Sequence, residues 1–153
     1  SKTLCFSGKV VVAQLWYTDG QASFRTVTSA FYKGAQLVGF VFDVTSKESF
    51  DNLQHWISEV DRGVPETANR MIIGNKIDLS GREVSAEDAK ALAADLGLSY
   101  FETSAKTGEN VDSTFETCIK ETISHAPDNE TPADTVTPQS TSSSSKKSGC
   151  YLL

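Results

Sequence analysis

Two short loops carry the residues best suited to chemistry. The first reads Gly74-Asn75-Lys76-Ile77-Asp78-Leu79. A carboxylate presents two acceptor oxygens, which match a pair of adjacent N–H donors such as the edge of guanine offers and adenine lacks, so Asp78 suits a guanine reader. Asn75 would tie neighbouring loops to the base, and the Lys76 stem would lie along it. The same stretch also reads as a strand followed by a polar turn, and Asn-Lys-x-Asp is short enough to arise by chance. The second loop reads Glu102-Thr103-Ser104-Ala105-Lys106, followed by Gly108. There the backbone N–H of Ala105 would donate to a guanine carbonyl, and the small side chain would let the base approach. Two such loops in this order, each ending a strand, are far more specific than either alone.

A third chemical address is the carboxyl end, Lys146-Lys147-Ser148-Gly149-Cys150-Tyr151-Leu152-Leu153. This is a C-a-a-X arrangement, and its final Leu favours geranylgeranyl transfer to the Cys150 thiolate. Cys5 and Cys118 read as core thiols, and an odd count without close spacing excludes a disulfide framework or a zinc knuckle. His55 and His125 stand alone and read as solvated helix residues.

Strand and helix signals alternate to position these loops. Lys2–Phe6 and Lys9–Trp16 are apolar, β-branched runs separated by the hairpin signal Ser7-Gly8. Leu37–Asp43, Arg70–Asn75 and Ser99–Glu102 are further short strands. Thr45 to Glu48 matches a capping box, after which Phe50, Leu53, Ile57 and Val60 recur at helical spacing until Gly63. Ser85 to Asp88 opens a second helix with Ala89, Leu92, Ala93 and Leu96 inward, stopped by Gly97. A third runs from about Asn110 with Val111, Phe115, Cys118, Ile119 and Ile123 on its inner side. Weaker helix signals lie between Ala22 and Lys33. This rhythm predicts an α/β fold with a mainly parallel sheet covered by helices, in which ligands sit beyond the carboxyl ends of the strands.

At 153 residues, with 39% hydrophobic and 22% charged residues, the chain has room for one domain. A net charge of -6 argues against general nucleic-acid affinity, and so against a nucleic-acid partner. No apolar run approaches a membrane span, and no leader pattern opens the chain, so the body reads as soluble and intracellular. All eight Phe and both Trp precede residue 127. The tail 127–153, rich in Ser, Thr and Pro, reads as disordered and leaves 1–126 as the folded part.

With both loops in place, the chain resembles the small GTPases of the Ras superfamily, and within them the Rab family of vesicle traffic. Gly20-Gln21, Phe24-Arg25-Thr26-Val27-Thr28, Phe31-Tyr32-Lys33-Gly34-Ala35, Phe42-Asp43-Val44-Thr45, Ser49-Phe50 and Trp56 carry the resemblance, together with the two guanine loops. It covers Ser1 to about Ser124. It implies a P-loop NTPase-like G domain with helices on both faces of the sheet. It further implies GTP and GDP as ligands with Mg²⁺, guanine contacts from Asn75, Lys76, Asp78, Ser104, Ala105 and Lys106, a phosphate-facing N–H at Gly20, and a water-orienting role for Gln21 in hydrolysis. The implied partners are Rab effectors and regulators, a prenyltransferase and escort proteins. A lipid anchor on Cys150 would hold the protein on the cytoplasmic face of intracellular membranes or the plasma membrane, and the extracted form would be cytosolic.

The chain also departs from the family pattern. No G-x-x-x-x-G-K-S/T motif occurs in it, and the family's first strand, phosphate loop and first helix have no counterpart. In the family that strand lies mid-sheet, between the strands matching Lys9–Trp16 and Leu37–Asp43. Its absence predicts exposed ladder edges that either associate or pair with each other directly. The pattern Trp-Asp-Thr-Ala-Gly-Gln appears as Trp16-Tyr17-Thr18-Asp19-Gly20-Gln21. Tyr17 thus replaces the Mg²⁺-holding aspartate, and Asp19 sets a carboxylate beside the phosphate-facing Gly20. A like-charge pair at about 6 Å costs roughly 3 kcal/mol at an effective dielectric near 20. Hydrolysis is therefore expected to be absent or very slow, and the alternative is a nucleotide-dead, prenylated module that binds Rab partners without switching.

Overall fold

The computed structural model describes residues 2–6, 9–16, 34–125 and 146–152. In chain order the elements are β1 (Lys2–Phe6), β2 (Lys9–Trp16), β3 (Ala35–Asp43), α1 (Lys47–Asp51), α2 (Leu53–Val60), β4 (Asn69–Asn75), α3 (Ala86–Asp95), β5 (Ser99–Glu102), α4 (Val111–His125) and β6 (Lys146–Leu152). The strands form one sheet in the order β1-β2-β6-β3-β4-β5. Among the described strands only β1 and β2 pair antiparallel, and their register, closing on Phe6↔Lys9, is the one a two-residue connection demands. The other pairs run parallel, as the alternation of strands and helices requires.

Alternation along the strands sends side chains to two cores. On one face Val38, Phe40, Phe42 and Ile72 pack with Phe50, Leu53, Ile57 and Val60 of α1 and α2, and with Ala89 and Ala93 of α3. On the other, Val11, Ala13, Leu37, Met71 and Ile73 pack under Cys118 and Ile119 of α4, with Phe101, Phe115 and Ile123 at the margin. Ala35 and Leu37 are two residues apart yet belong to opposite cores. The register shift between them explains this, because a bulge reverses the face on which every later side chain emerges.

The helix starts show where local chemistry decides. Ser85 caps α3 by accepting from the Asp88 N–H at 3.0 Å, as its position predicts. The helix before it is corrected by one residue. Ser46, not Thr45, is the cap, accepting from the Ser49 N–H at 3.3 Å, because the Thr45 N–H and hydroxyl are both engaged by Asp43 Oδ1 at 2.8 and 2.7 Å. That helix is also interrupted at Asn52, so α1 and α2 replace the single run expected to Gly63. Leu96, expected inward, is 41% exposed, since α3 ends at Asp95 and the chain turns at Gly97 with φ +67°.

The largest departure is β6. Composition assigns all of 127–153 to a disordered tail, yet Lys146–Leu152 forms a strand between β2 and β3. Direct pairing of β2 with β3 is therefore not what occurs, since β6 pairs with both. Residues 17–33, with their expected helix, lie outside the described residues, as do 126–145.

Candidate functional site

The site grows from the carboxyl ends of β3, β4 and β5, where parallel strands release their loops on one edge of the sheet. Gly74 closes β4 in a place that admits no side chain. A Cβ there would lie 2.7 Å from Tyr100 Oη, 3.0 Å from Val44 Cγ1 and 3.2 Å from Phe42 Cζ. This tight approach lets the loops engage each other's backbones. The Val44 N–H donates to the Asn75 carbonyl at 3.0 Å, the Thr103 N–H to the Gly74 carbonyl at 2.8 Å, and the Ile77 N–H to the Thr103 carbonyl at 3.3 Å.

The two sequence motifs meet through side chains as well. Asn75 Oδ1 accepts from the Ala105 N–H at 3.0 Å and from the Thr103 hydroxyl at 3.4 Å. Ser104, fully buried, donates its hydroxyl to Asp78 Oδ1 at 2.6 Å and accepts from the Thr107 N–H at 3.1 Å. Asn75, Asp78, Ser104 and Ala105 thus form one hydrogen-bonded unit spanning about thirty residues of chain. The Ala105 N–H, expected to face a guanine carbonyl, is held by Asn75 in this structure. Lys106 is exposed at the rim.

Lys76 adopts φ +68°, a left-handed conformation costly for a residue with a Cβ, and its ammonium pairs with Asp43 Oδ2 at 2.5 Å. Burial opposes ionisation of Asp43, but hydrogen bonds from Lys76 and Thr45 outweigh it and hold this carboxyl below its ordinary range. A second charged group braces β5. Arg82 forks onto Glu102 at 2.8 and 3.2 Å, and Tyr100 Oη donates to Glu102 Oε1 at 2.8 Å. Burial again works against ionisation of Glu102, and the Arg82 and Tyr100 hydrogen bonds overcome it, so its carboxyl is also held low. Burial and the Glu102 carboxylate together push the Tyr100 phenol above its ordinary value.

Sequence reasoning named Asn75, Lys76, Asp78, Ser104, Ala105 and Lys106, and the structure gathers all six at one end of the sheet. It missed Asp43, Thr103 and the Arg82–Glu102–Tyr100 group. It also missed Asn110, whose Nδ2 donates to the Glu102 carbonyl at 3.0 Å from φ +58°. Asp43 ends β3 and Thr103 directly follows the end of β5, the same positions the loop residues occupy, and that was the available signal. Gly20, Gln21, Tyr17 and Asp19 lie outside the described residues, and Cys150 lies on β6. An open cavity of about 420 Å³ lies beside the site between α3, β5 and α4, lined among others by Lys90, Tyr100, Glu102 and Asn110. None of Asn75, Asp78 and Ala105 lines it, so it is a separate feature. Among the described residues no helix is long and apolar enough to cross a membrane.

The family model described as "Ras family" matches residues 1–124. The Ras-related protein RIC1 of Oryza sativa subsp. japonica is 45% identical over 121 residues, covering 78% of this chain and 60% of that protein. The GTP-binding protein YPTM2 of Zea mays is 44% identical over 115 residues, covering 74% and 57%. The Ras-related protein Rab-10 of Caenorhabditis elegans is 38% identical over 152 residues, covering 97% and 76%. The chain thus spans less than two thirds of the length of the plant relatives it matches. The parallel sheet, the helices on both faces, the linked loops after β4 and β5 and these similarities agree: the chain belongs to the Ras family of small GTPases, on its Rab-related branch.

Proposed function

We propose that the chain binds guanine nucleotide as a Rab-type protein of vesicle-mediated membrane traffic, with GTP hydrolysis absent or very slow. The observation that carries this reading is the hydrogen-bonded union of Asn75, Asp78, Ser104 and Ala105. The guanine edge, with its two adjacent N–H donors, calls for a fixed carboxylate, and Ser104 fixes Asp78 through one oxygen, Oδ1. Lys76, turned by its left-handed backbone toward Asp43, extends its stem where a base would lie. These residues fit the base of GTP or GDP, which would also bring the phosphoanhydride whose hydrolysis is the family's chemistry.

The phosphate and Mg²⁺ side fits less well. Tyr17 is a neutral phenol where the family holds the metal with a carboxylate, and Asp19 adds negative charge next to Gly20. Gln21 would still orient a water, but Tyr17 offers Mg²⁺ no carboxylate at the position where the family supplies one. The same two residues favour a second reading, a nucleotide-dead module that occupies Rab effectors and regulators without switching.

Titration of the purified chain with fluorescent GDP and fluorescent ADP separates the two. Guanine-selective binding, weakened about tenfold or more by Asp78→Ala, is the expected result, a loss of about 1.4 kcal/mol or more. Equal response to both nucleotides leaves the module reading in force. Mg²⁺-dependent turnover of labelled GTP at a rate typical of the family would overturn the hydrolysis proposal.

The carboxyl end completes the reading. A prenyltransferase acting with an escort protein would let the Cys150 thiolate displace diphosphate from geranylgeranyl diphosphate, forming a thioether. One such chain anchors reversibly, and Lys146 and Lys147 add about 1 kcal/mol each at an anionic leaflet. The protein would then act on the cytoplasmic face of membranes, with 1–126 as the G-domain part and 127–153 as its tether.

A further inference from the structure

The loop that carries Ser104, Ala105 and Lys106 runs from the end of β5 to the start of α4, and both of its ends are fixed. Glu102 is the post at one end. It pairs with Gly74 in the sheet, the following Thr103 N–H donates to the Gly74 carbonyl at 2.8 Å, and its carboxylate is held by the Arg82 fork and by Tyr100 Oη. At the other end stands Asn110, directly before α4, whose carbonyl accepts from the Thr114 N–H at 3.0 Å and so opens the helix. The Asn110 side chain spans the mouth of the loop, its Nδ2 donating to the Glu102 carbonyl at 3.0 Å.

Asn110 makes this bond from an unusual backbone. A residue opening a helix ordinarily has an extended φ. Asn110 has φ +58°, a left-handed conformation that asparagine tolerates better than most residues, and its amide reaches back to β5. Inside the loop the Gly108 N–H donates to the Ser104 carbonyl at 2.8 Å and the Ser104 N–H to the Glu109 carbonyl at 3.0 Å, so the loop is tied as one short unit. Ser104 has a separate anchor, since it is fully buried and bonded to Asp78, whereas Ala105 is exposed and takes its position from the ends of the loop. Glu102 and Asn110 both line the open cavity beside the site, so without Asn110 water would replace the donor at the Glu102 carbonyl. The loss would then be one of position, with no buried group stranded.

We infer that Asn110 is a positioning residue for the candidate guanine site: its bond to the Glu102 carbonyl sets the Ala105 N–H where the 6-oxygen of the base is read, while Asp78 reads the 2-amino side from its own anchor at Ser104. In this structure the Ala105 N–H meets Asn75 Oδ1 at 3.0 Å, so it already faces the motif that a base would share. This role rests on the guanine-binding reading proposed above, though the bond itself can be tested without nucleotide.

The test compares the whole chain with Asn110→Gly, which keeps the left-handed backbone and removes the donor, and with Asn110→Asp, which keeps the shape and puts an acceptor in the donor's place. In the nucleotide-free chain, amide exchange followed by NMR is expected to be at least about tenfold faster at Ala105 and Gly108 in both variants, and within about twofold of the parent at Ala89 in α3. A role confined to starting α4 predicts parent-like behaviour of Asn110→Asp, because aspartate favours a helix start. Titration then uses ribose-labelled GDP, IDP, which lacks the 2-amino group, and 6-thio-GDP, whose sulfur is a weak acceptor. Loss of one hydrogen bond is worth roughly two- to tenfold, so the preference for GDP over 6-thio-GDP is expected to fall by that factor in both variants, and the preference for GDP over IDP by less than about twofold. Unchanged exchange at Ala105, equal acceleration at Ala89, or parent-like behaviour of Asn110→Asp overturns the positioning role. So does a parent without preference for GDP over 6-thio-GDP, or variants in which both preferences fall alike or neither falls. Should the parent bind none of the three nucleotides, the guanine reading falls, and the exchange comparison alone decides whether Asn110 holds the loop.

Discussion

Replacing Gly74 with Ala inserts one methyl group where the guanine-type loop leaves β4. The new Cβ would stand 2.7 Å from Tyr100 Oη, 3.0 Å from Val44 Cγ1 and 3.2 Å from Phe42 Cζ, so something must move. Val44 is completely buried, and Phe42 is wedged edge-on against Phe50 with ring centroids 5.1 Å apart. Tyr100 is the remaining candidate, but its ring stacks on Phe42 and its hydroxyl is bound to Glu102 at 2.8 Å. Overpacking of this kind costs about 1–3 kcal/mol, and losing a hydrogen bond to a charged group costs about 1.5–3 kcal/mol. The terms overlap because one movement causes both, so Gly74→Ala is expected to destabilise by about 2–3 kcal/mol. Urea unfolding supplies the number, and a double-mutant cycle supplies the reason. Tyr100→Phe should cost about 1.5 kcal/mol in the parent, where Glu102 loses a donor but keeps Arg82, and close to nothing in the Gly74→Ala background. The resulting coupling should be at least about 1 kcal/mol. A Gly74→Ala chain within about 0.5 kcal/mol of the parent, or strictly additive mutants, would refute the steric account.

Acid should weaken the same region. The Asp43 and Glu102 carboxyls are held below their ordinary values of 3.8 and 4.5, the first by Lys76 and Thr45 and the second by Arg82 and Tyr100, each against an opposing effect of burial. Depressed folded values mean that their stabilisation is present above the unfolded values and lost as pH falls through the folded ones. The urea midpoint should therefore hold steady down to about pH 5 and decline below it, less steeply in Arg82→Ala; no decline by about pH 3 would count against the pairing. Cys118 supplies an alkaline counterpart. Burial, aided by the Glu121 charge, pushes its thiol up to about 12, from an ordinary 9.0. At about pH 8 it should resist alkylation until the chain unfolds. Above about pH 9 the unfolded thiol ionises while the folded one does not, so stability should fall with rising pH and fall less in Cys118→Ala.

Elements whose cause is local were readable in the chain, and those whose cause lies across the sheet were not. Ser85 and Gly97 bracket α3 because a hydroxyl cap and a left-handed glycine act within a few residues. Phe50, Leu53, Ile57 and Val60 face one core because helical period and burial agree. The Thr45 cap failed for a nearby reason of the wrong kind. Asp43, two residues upstream, takes both of Thr45's donors, and a pattern search for capping boxes does not weigh that competitor. The bulge between Ala35 and Leu37 is invisible in composition, since it is needed only to set β3 against a particular neighbour. The guanine-type loops were legible as motifs, but their union rests on Asn75 reaching Ala105 thirty residues later, through a contact that only the parallel order of β4 and β5 creates.

β6 shows why composition misjudged the tail. The rule that Ser- and Lys-rich segments stay unordered supposes that a segment must provide its own driving force through buried apolar surface. Segment 146–152 meets a different condition, pairing in parallel with β2 on one side and with β3 on the other. There the gain lies in satisfying the acceptor strands, so sequence quality in the incoming strand matters less than its reach and its freedom from proline. The segment has both, with twenty residues between it and His125 and no Pro between Lys146 and Leu153. The partners of β6 thus lie far upstream in β2 and β3, where the tail's own composition carries no sign of them.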